Sequence, residues 1–257
     1  MFPEGDQLIN TSLKYRPEID GLRALAIVLV VFYHAQILIY DRNYFLGGFI
    51  GVDVFFVLSG YLISRVIFSE IDLTDNFSLK NFYIRRARRI LPMLFVVIIV
   101  SSPLAFAILE PKHLKEFSQS ALSAIFSISN IYFYFSTTEY GAVDSLLKPL
   151  LNTWSLGVEE QFYLVFPITL LLLKTKVRII SSLVFVFAIS LGLSIYYSTE
   201  NKDLAFYILP TRAWELLAGV FACLFERQKN NILTGNRWDV VCAAAVGGIV
   251  CSAVIFF

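Results

Sequence analysis

Charge is scarce in this sequence. Only 16% of its 257 residues are Asp, Glu, Lys or Arg, while 57% are apolar. A soluble domain carries ~25% charged and ~45–50% apolar residues. There is too little polar surface to coat a water-soluble globule, so lipid is the expected solvent for most of the chain. The net charge of +1 offers no electrostatic footprint for nucleic acid. Cysteine occurs three times and histidine twice. Cys223, Cys242 and Cys251 lie in apolar runs with no CxxC spacing and no paired histidine, which argues for small core residues rather than a metal site or a disulfide framework. No metal is implied. The polar head, residues 1–19, lacks the short apolar stretch and small-residue cleavage site of a signal peptide. The first hydrophobic run is therefore expected to stay as an anchor.

What the chain has is long hydrophobic runs, with Phe (24) and Tyr (13) used heavily. Runs near the ~20 residues needed to cross hydrocarbon fall at about 21–40, 48–68, 90–109, 118–136, 155–173, 179–197, 205–225 and 239–257. Backbone groups in lipid must be satisfied within the segment, so these runs are expected to be helices. The expected fold is an all-α polytopic transmembrane bundle with about eight segments. Residues 1–19 are expected to form a cytoplasmic segment and 20–257 one transmembrane domain. The last run ends without a charged flank, so the domain is expected to be incomplete at its C-terminus.

Several polar groups interrupt these runs. In "DGLRALAIVLVVFYHAQ" (20–36), Arg23 and His34 stand eleven residues apart. At 100° per residue they share a face to within ~20° and are separated by ~16 Å along the axis. Asp20 lies one turn before Arg23. The plain alternative is a snorkelling arginine and a hydrogen-bonded histidine. Ionisable groups inside a membrane, however, mark sites and pathways by default, and an imidazole can take and return a proton near neutral pH. In "GGFIGVDVFFVLSGYLIS" (47–64), Gly47, Gly48 and Gly51 permit close backbone approach. Asp53 there either orients His34 or is a first-turn acid favoured by the helix dipole. Ser59-Gly60-Tyr61 lacks the spacing of a nucleophile elbow and reads as small-residue helix packing.

"FYIRRARRILP" (82–92) packs Arg85, Arg86, Arg88 and Arg89 into five residues. This is either cytoplasmic anchoring or a grip for a phosphate-bearing ligand, since the guanidinium fork matches phosphate. "NTWSLGVEEQFYLVFP" (152–167) sets Trp154, Ser155, Glu159, Glu160, Gln161 and Tyr163 at the mouth of an apolar run. These are either interfacial polar groups or holders of an incoming hydroxyl or basic partner. Arg212 and Glu215 in "YILPTRAWELLAG" (207–219) read as an i, i+3 ion pair.

Taken in order, "YRPEIDGLRALAIVLVVFYHA", "GGFIGVDVFFVLSGYLI", "FYIRRARRILP", "TWSLGVEEQFY" and "RAWELLAG" resemble the acyltransferase-3 family. These are bacterial integral-membrane O-acyltransferases acting on lipopolysaccharide O-antigen, peptidoglycan and exopolysaccharides. The resemblance covers about residues 15–222. It implies an inner-membrane O-acetyltransferase that moves an acetyl group from cytoplasmic acetyl-CoA to a hydroxyl of an envelope saccharide. It implies that Arg23 and His34 fill the family's Arg-x10-His signature, with His34 as base or acyl relay. It implies that Arg85, Arg86, Arg88 and Arg89 contact the acyl-CoA donor, and that Trp154, Ser155, Glu159, Glu160, Gln161 and Tyr163 build the acceptor side or the core. Two departures stand out. Asn152 occupies a position where relatives often carry histidine, and eight runs stand where the family has ten spans. The opening resembles the subgroup with a C-terminal SGNH-type extracytoplasmic domain, which this sequence lacks. Buried charges and a mid-span histidine would also suit the proton relay of a transporter or polysaccharide-export component. A transporter would need no acyl-CoA and would leave no base-labile acetyl ester.

Orientation follows the basic joints. Lys14, Arg16 and Arg23 at the head, and the arginines of 82–89, place the N-terminus and residues 69–89 in the cytoplasm. Three basic residues in 174–178 and three in 226–238, against one each in 137–153 and 198–204, demand that these later joints also be cytoplasmic. Strict alternation of eight spans forbids this. The serine-rich run 118–136, with Gln119 and Asn130, is the expected non-crossing segment, which turns 137–153 outward. A topology reporter fused at residue 145 is expected to read extracytoplasmic and one at 176 cytoplasmic; a cytoplasmic reading at 145 would restore strict alternation.

Overall fold

The computed structural model describes residues 16–35, 38–39, 42–43, 46–138, 148–173 and 175–228, with 246, 247 and 249 beyond them. The expected last run, 239–257, thus falls largely outside the described residues, as do Cys242, Cys251 and most of the joint 137–153. The architecture is helical: α1 (Pro17–Ala35), a 3-10 turn (Leu46–Phe49), α2 (Ile50–Thr74), α3 (Leu79–Ile108), α4 (Pro111–Ile125), α5 (Ser129–Thr138), α6 (Thr153–Leu172), α7 (Lys176–Glu200), α8 (Lys202–Tyr207) and α9 (Leu209–Gln228). The strand content described is one two-residue antiparallel pairing, Leu38–Ile39 with Arg42–Asn43.

Five stretches among the described residues are long and apolar enough to cross a membrane: Gly47–Thr74, Leu79–Ile108, Thr153–Leu172, Val177–Glu200 and Lys202–Gln228. The protein is a multi-pass membrane protein. In α3 and α7 only 11% of the most apolar stretch is buried. Met93, Ile99, Phe106 and Phe185 stand exposed at 66–76%, a display that water would not tolerate at this scale and lipid does.

Two departures from the expected segments have local causes. The run 118–136 is not one helix. Ser127 takes a left-handed φ of 57°, the Ile128 N–H reaches the Ser123 carbonyl at 2.9 Å, and the Ser127 N–H reaches Ala124 at 3.1 Å. This is a Schellman-type stop, and it leaves helices of 15 and 10 residues, each short of a ~20-residue crossing. The arginine cluster, expected in a joint spanning 69–89, lies instead on α3 itself. Arginine is a good helix former, and Ser78 caps α3 by accepting the Asn81 N–H at 3.4 Å. The joint shrinks to residues 75–78.

The chain forms two compact units, one of residues 1–75 with 215–257 and one of 76–214. In the first, α1, α2 and the later part of α9 pack backbone against backbone. A Cβ built on Gly60 would stand 1.8 Å from the Leu216 carbonyl oxygen, and one on Gly219 would stand 1.9 Å from that of Val57. The two glycines are reciprocal seats for facing helices, as small residues are in membrane bundles. Gly51 seats against Ala26 of α1 in the same way, at 2.5 Å. Around these contacts lie Ala26, Leu29, Phe56, Ile63, Ile67, Leu216, Val220 and Cys223, all buried. One end of the three helices is tied by polar groups. Arg16 donates to Glu226 Oε1 at 2.5 Å and to the Tyr61 hydroxyl at 2.9 Å, and Tyr61 donates to Glu226 Oε2 at 2.5 Å. Arg16 also pairs with Glu18. Arg227 pairs with Asp72 at 2.7 Å and lies over the Phe68 ring.

In the second unit, α6 runs beside the α4–α5 break. Gly157 faces Asn130, where a Cβ would meet Asn130 Oδ1 at 2.8 Å. Phe133, Trp154, Val158, Phe162 and Phe166 form the core of this unit.

Gly60→Ala is expected to lower stability by about 1–3 kcal/mol through overpacking. Gly192→Ala, where nothing lies within 4 Å, should be neutral or up to ~1 kcal/mol stabilising. Thermal unfolding of the two variants in detergent compares them directly.

Candidate active site

The first group of candidate residues lies on α1. The spacing that aligns Arg23 with His34 is realised on a single helix, Pro17–Ala35. Arg23 is held at the foot by Asp20, at 3.6 Å. His34 sits in the last turn, exposed, with its Nδ1 2.8 Å from the Val30 carbonyl oxygen. A carbonyl can only accept, so this contact places a proton on Nδ1 and, in the neutral imidazole, leaves the lone pair on Nε2. The Tyr33 ring meets the imidazole edge-on at 5.1 Å. The group that fixes the His34 tautomer is therefore its own helix backbone. Asp53 lies half-buried in the first turn of α2, where the helix dipole favours a carboxylate.

The second group lies in the other unit and joins residues that the sequence assigned to different roles. Arg86 of α3 places its guanidinium carbon 4.0 Å from the centroid of the Tyr163 ring on α6. Tyr163 is buried and donates its hydroxyl to Glu159 Oε2 at 3.0 Å. Glu160 feels the attraction of Arg86 and the repulsion of Glu159. Its Oε1 is buried without a hydrogen-bond partner, which costs roughly 1–3 kcal/mol or more for a charged group. Tyr83, one turn before Arg86, donates to the Leu164 carbonyl at 3.0 Å and so pins α3 to α6. Arg85 is half-buried, whereas Arg88 and Arg89 are exposed.

The remaining members of the block "TWSLGVEEQFY" face elsewhere. Trp154 is buried, with ring centroids 4.3 Å from Phe206 and 5.6 Å from Tyr207, beneath the guanidinium of Arg212 at 5.8 Å. Ser155 donates to the Asn152 carbonyl at 3.2 Å. The Gln161 amide donates to Asn130 Oδ1 at 2.7 Å and to the Ser127 carbonyl at 3.0 Å. Asn130 in turn donates to Gln161 Oε1 and to the Tyr207 carbonyl. Trp154 and Gln161 thus hold the scaffold around the Arg86–Tyr163–Glu160 cluster, and their polar and aromatic groups are occupied by the protein.

Sequence reasoning passed over two sets of residues. Asn130 entered only as a sign of a weak span, although it is fully buried and joins α5 to α6 and to the end of α8. The Arg16–Tyr61–Glu226 network joins residues up to 210 positions apart, a separation no local pattern reports.

Comparisons with known proteins agree with this arrangement of motifs. A family model for an acyltransferase domain matches residues 16–257. The peptidoglycan O-acetyltransferase OatA of Listeria monocytogenes serovar 1/2a is 38% identical over 215 residues, covering 81% of this chain and 33% of that protein. The O-acetyltransferase OatA of Staphylococcus aureus is 38% identical over 215 residues, covering 81% and 34%. A putative O-acetyltransferase of the same species is 37% identical over 214 residues, covering 81% and 34%. The chain spans about a third of the length of these curated relatives. No solved structure matches. With the motifs in order, the helices that carry them and a family model over nearly its whole length, the chain belongs to the acyltransferase-3 family.

Proposed function

We propose that this chain is the membrane domain of an O-acetyltransferase of the bacterial inner membrane, moving an acetyl group from cytoplasmic acetyl-CoA to a hydroxyl of an envelope glycan. The observation that carries this reading is the state of His34. A single imidazole ends the apolar stretch of α1 that follows Arg23, its Nδ1 is held by Val30 and, in the neutral ring, its Nε2 carries the lone pair. That is the form needed to take a proton from an alcohol. Peptidoglycan, the substrate named for the Listeria relative, is the acceptor class this reading favours over lipopolysaccharide O-antigen.

The donor is an anionic thioester, and it supplies the activated acyl carbon. Arg88 and Arg89, exposed on α3, suit its phosphates, and Arg86 on the next face carries positive charge inward. The orphan Oε1 of Glu160 is an acceptor in want of a hydroxyl or amide donor, and Arg86 balances its charge. In the transfer the acceptor oxygen forms a bond to the acyl carbon and the carbon–sulfur bond breaks. His34 Nε2 takes the hydroxyl proton and returns it to the leaving thiolate. Arg23 keeps the foot of the same stripe cationic toward the donor side. Asp53 offers countercharge while His34 is protonated.

The membrane topology that fits this reading has the N-terminus inside. Breaking 118–136 into α4 and α5 lets that hairpin enter and leave from the outer face. This brings the basic joints after α6 and α9 to the cytoplasm, as positive-inside bias requires. An SGNH-type extracytoplasmic partner fits the same orientation.

His34→Ala is expected to lower the base-labile acetyl ester content of the envelope glycan at least ~100-fold, with membrane levels of the protein unchanged. Full acetylation in that variant would remove the mechanism. Arg86→Ala and Arg89→Ala should raise the acetyl-CoA concentration required by ~10–100-fold, the scale of a lost charged hydrogen bond. Transfer assays on membranes with titrated donor measure this, and unchanged donor dependence would sever the arginines from the donor.

A further inference from the structure

The second of the two histidines lies far along the chain from His34, beside a cavity of about 240 Å³ in the unit of residues 76–214. The cavity is formed where α3 ends, α4 begins and α5 returns. Its apolar wall includes the buried rings of Phe117 and Phe133. Its polar wall carries His113, Glu116, Tyr132 and Lys148. His113 Nδ1 stands 3.6 Å from Glu116 Oε2, one helical turn along α4, and both side chains are about one-third exposed.

These groups are held in place by the frame. The Tyr132 hydroxyl donates to the Glu116 carbonyl at 3.0 Å and ties α5 to α4. Lys148 donates to the Ser136 carbonyl at 2.6 Å and to its hydroxyl at 3.1 Å. It thereby satisfies the C-terminal end of α5 and keeps its ammonium at the cavity.

The chemistry of the wall selects among ligands. An alkyl chain would take water from the one-third exposed faces of His113 and Glu116 and give them no polar group in return, which is costly. A phosphate or other anion would meet the Glu116 carboxylate. A neutral polyhydroxyl ring satisfies both walls, since its hydroxyls donate to Glu116 and accept from Lys148 while its C–H faces lie on aromatic rings. The volume lies below the ~300–1,000 Å³ of sites for drug-sized ligands, which suits one ring rather than an oligomer.

We propose that this cavity seats one neutral sugar ring of the acceptor glycan, with His113 and Glu116 binding its hydroxyls and Lys148 an oxygen acceptor. The inference rests on the O-acyltransferase reading and on the outward placement of the α4–α5 hairpin. It adds an acceptor subsite on a helical hairpin that carries none of the motif residues assigned to chemistry.

The test uses the full chain purified in detergent, with radiolabelled N-acetylglucosamine tetramer and maltotetraose as probes in equilibrium dialysis. Saturable binding of at least one probe is expected. It should weaken at least tenfold in His113→Ala and in Lys148→Met, and should resist competition by inorganic phosphate. His113→Gln, which keeps a polar group at the position, should recover part of the loss, and matched thermal unfolding of the variants excludes misfolding. Absence of saturable binding to either probe, binding indifferent to both substitutions, or displacement by phosphate would each overturn the proposal. His34→Ala separates this idea from the reading beneath it. If that variant loses glycan acetylation in cells while His113→Ala binds sugar normally, only the subsite falls. If acetylation survives His34→Ala, the enzymatic reading falls whatever the dialysis shows.

Discussion

A chain that turns inside a membrane domain must find partners for the peptide groups it releases, and here the amides of Gln161 and Asn130 supply them. Ser127 ends α4 with a left-handed residue, and its carbonyl is taken by Gln161. Asn130 closes the arrangement by bonding to Gln161 and to the Tyr207 carbonyl. Irregular backbone in a membrane domain is tolerated where protein satisfies it, and at this break these two side chains do so. Their position also sets the rest of α6. With Gln161 facing the break, Glu159 and Tyr163 lie ~160–200° around the helix. They therefore face away from the break, and Tyr163 meets Arg86 of α3. The same rotation that protects a turn aims the charged cluster.

The first unit obeys a different constraint, close backbone approach. Gly60 and Gly219 each leave room for a carbonyl of the facing helix, so the backbones approach closely without bulky side chains intervening. On α1 the buried positions are Ile19, Ala26 and Leu29. Ala26 and Leu29 lie ~80–140° around the helix from His34. The histidine can therefore stand exposed while its helix is packed by a neighbouring face. The Arg16–Tyr61–Glu226 network fixes three helices at one end. Every proton on its three side chains that the geometry uses has an oxygen partner, which is the condition for charges at a helix bundle's edge to add order rather than strain.

Much of this was legible in the sequence because membrane helices announce themselves by composition. Five of the eight expected runs fall on the five described stretches long and apolar enough to cross a membrane, the run 21–40 overlaps the 19-residue α1 without matching its end, and the serine-rich run was already the least suited to cross. What the sequence hid is instructive. The stop at Ser127 carries neither glycine nor proline, and the partner that makes it tolerable is 34 residues away. The arginines of 85–89 looked like a loop because they are charged, yet an exposed helix turn accommodates arginine as readily as alanine-rich sequence does. Motif reading kept Trp154, Gln161, Glu160 and Tyr163 together as one block building the acceptor side or the core. Helical geometry divides them into two buttresses, Trp154 and Gln161, and two members turned toward Arg86, because neighbours in sequence point ~100° apart.

Glu160, set against Arg86, is where the structure leaves something unfinished. A buried carboxylate oxygen without a donor is costly, and a protein could remove that cost with one conservative change, Glu to Gln or Met, at the Glu160 position. The surroundings do the opposite. Glu159 adds a second negative charge, and Arg86 supplies a single cation whose guanidinium already lies over the Tyr163 ring. Tyr163, which could have donated to Glu160, donates instead to Glu159. Groups tolerated at such expense inside an apolar helix concentrate at functional sites. Under the proposed acetyl transfer the same logic applies to His34, whose Nδ1 is held by the Val30 carbonyl of its own helix while Nε2 faces the chemistry. On that reading the unbonded Oε1 of Glu160 and the Nε2 of His34 are the two atoms that meet a ligand.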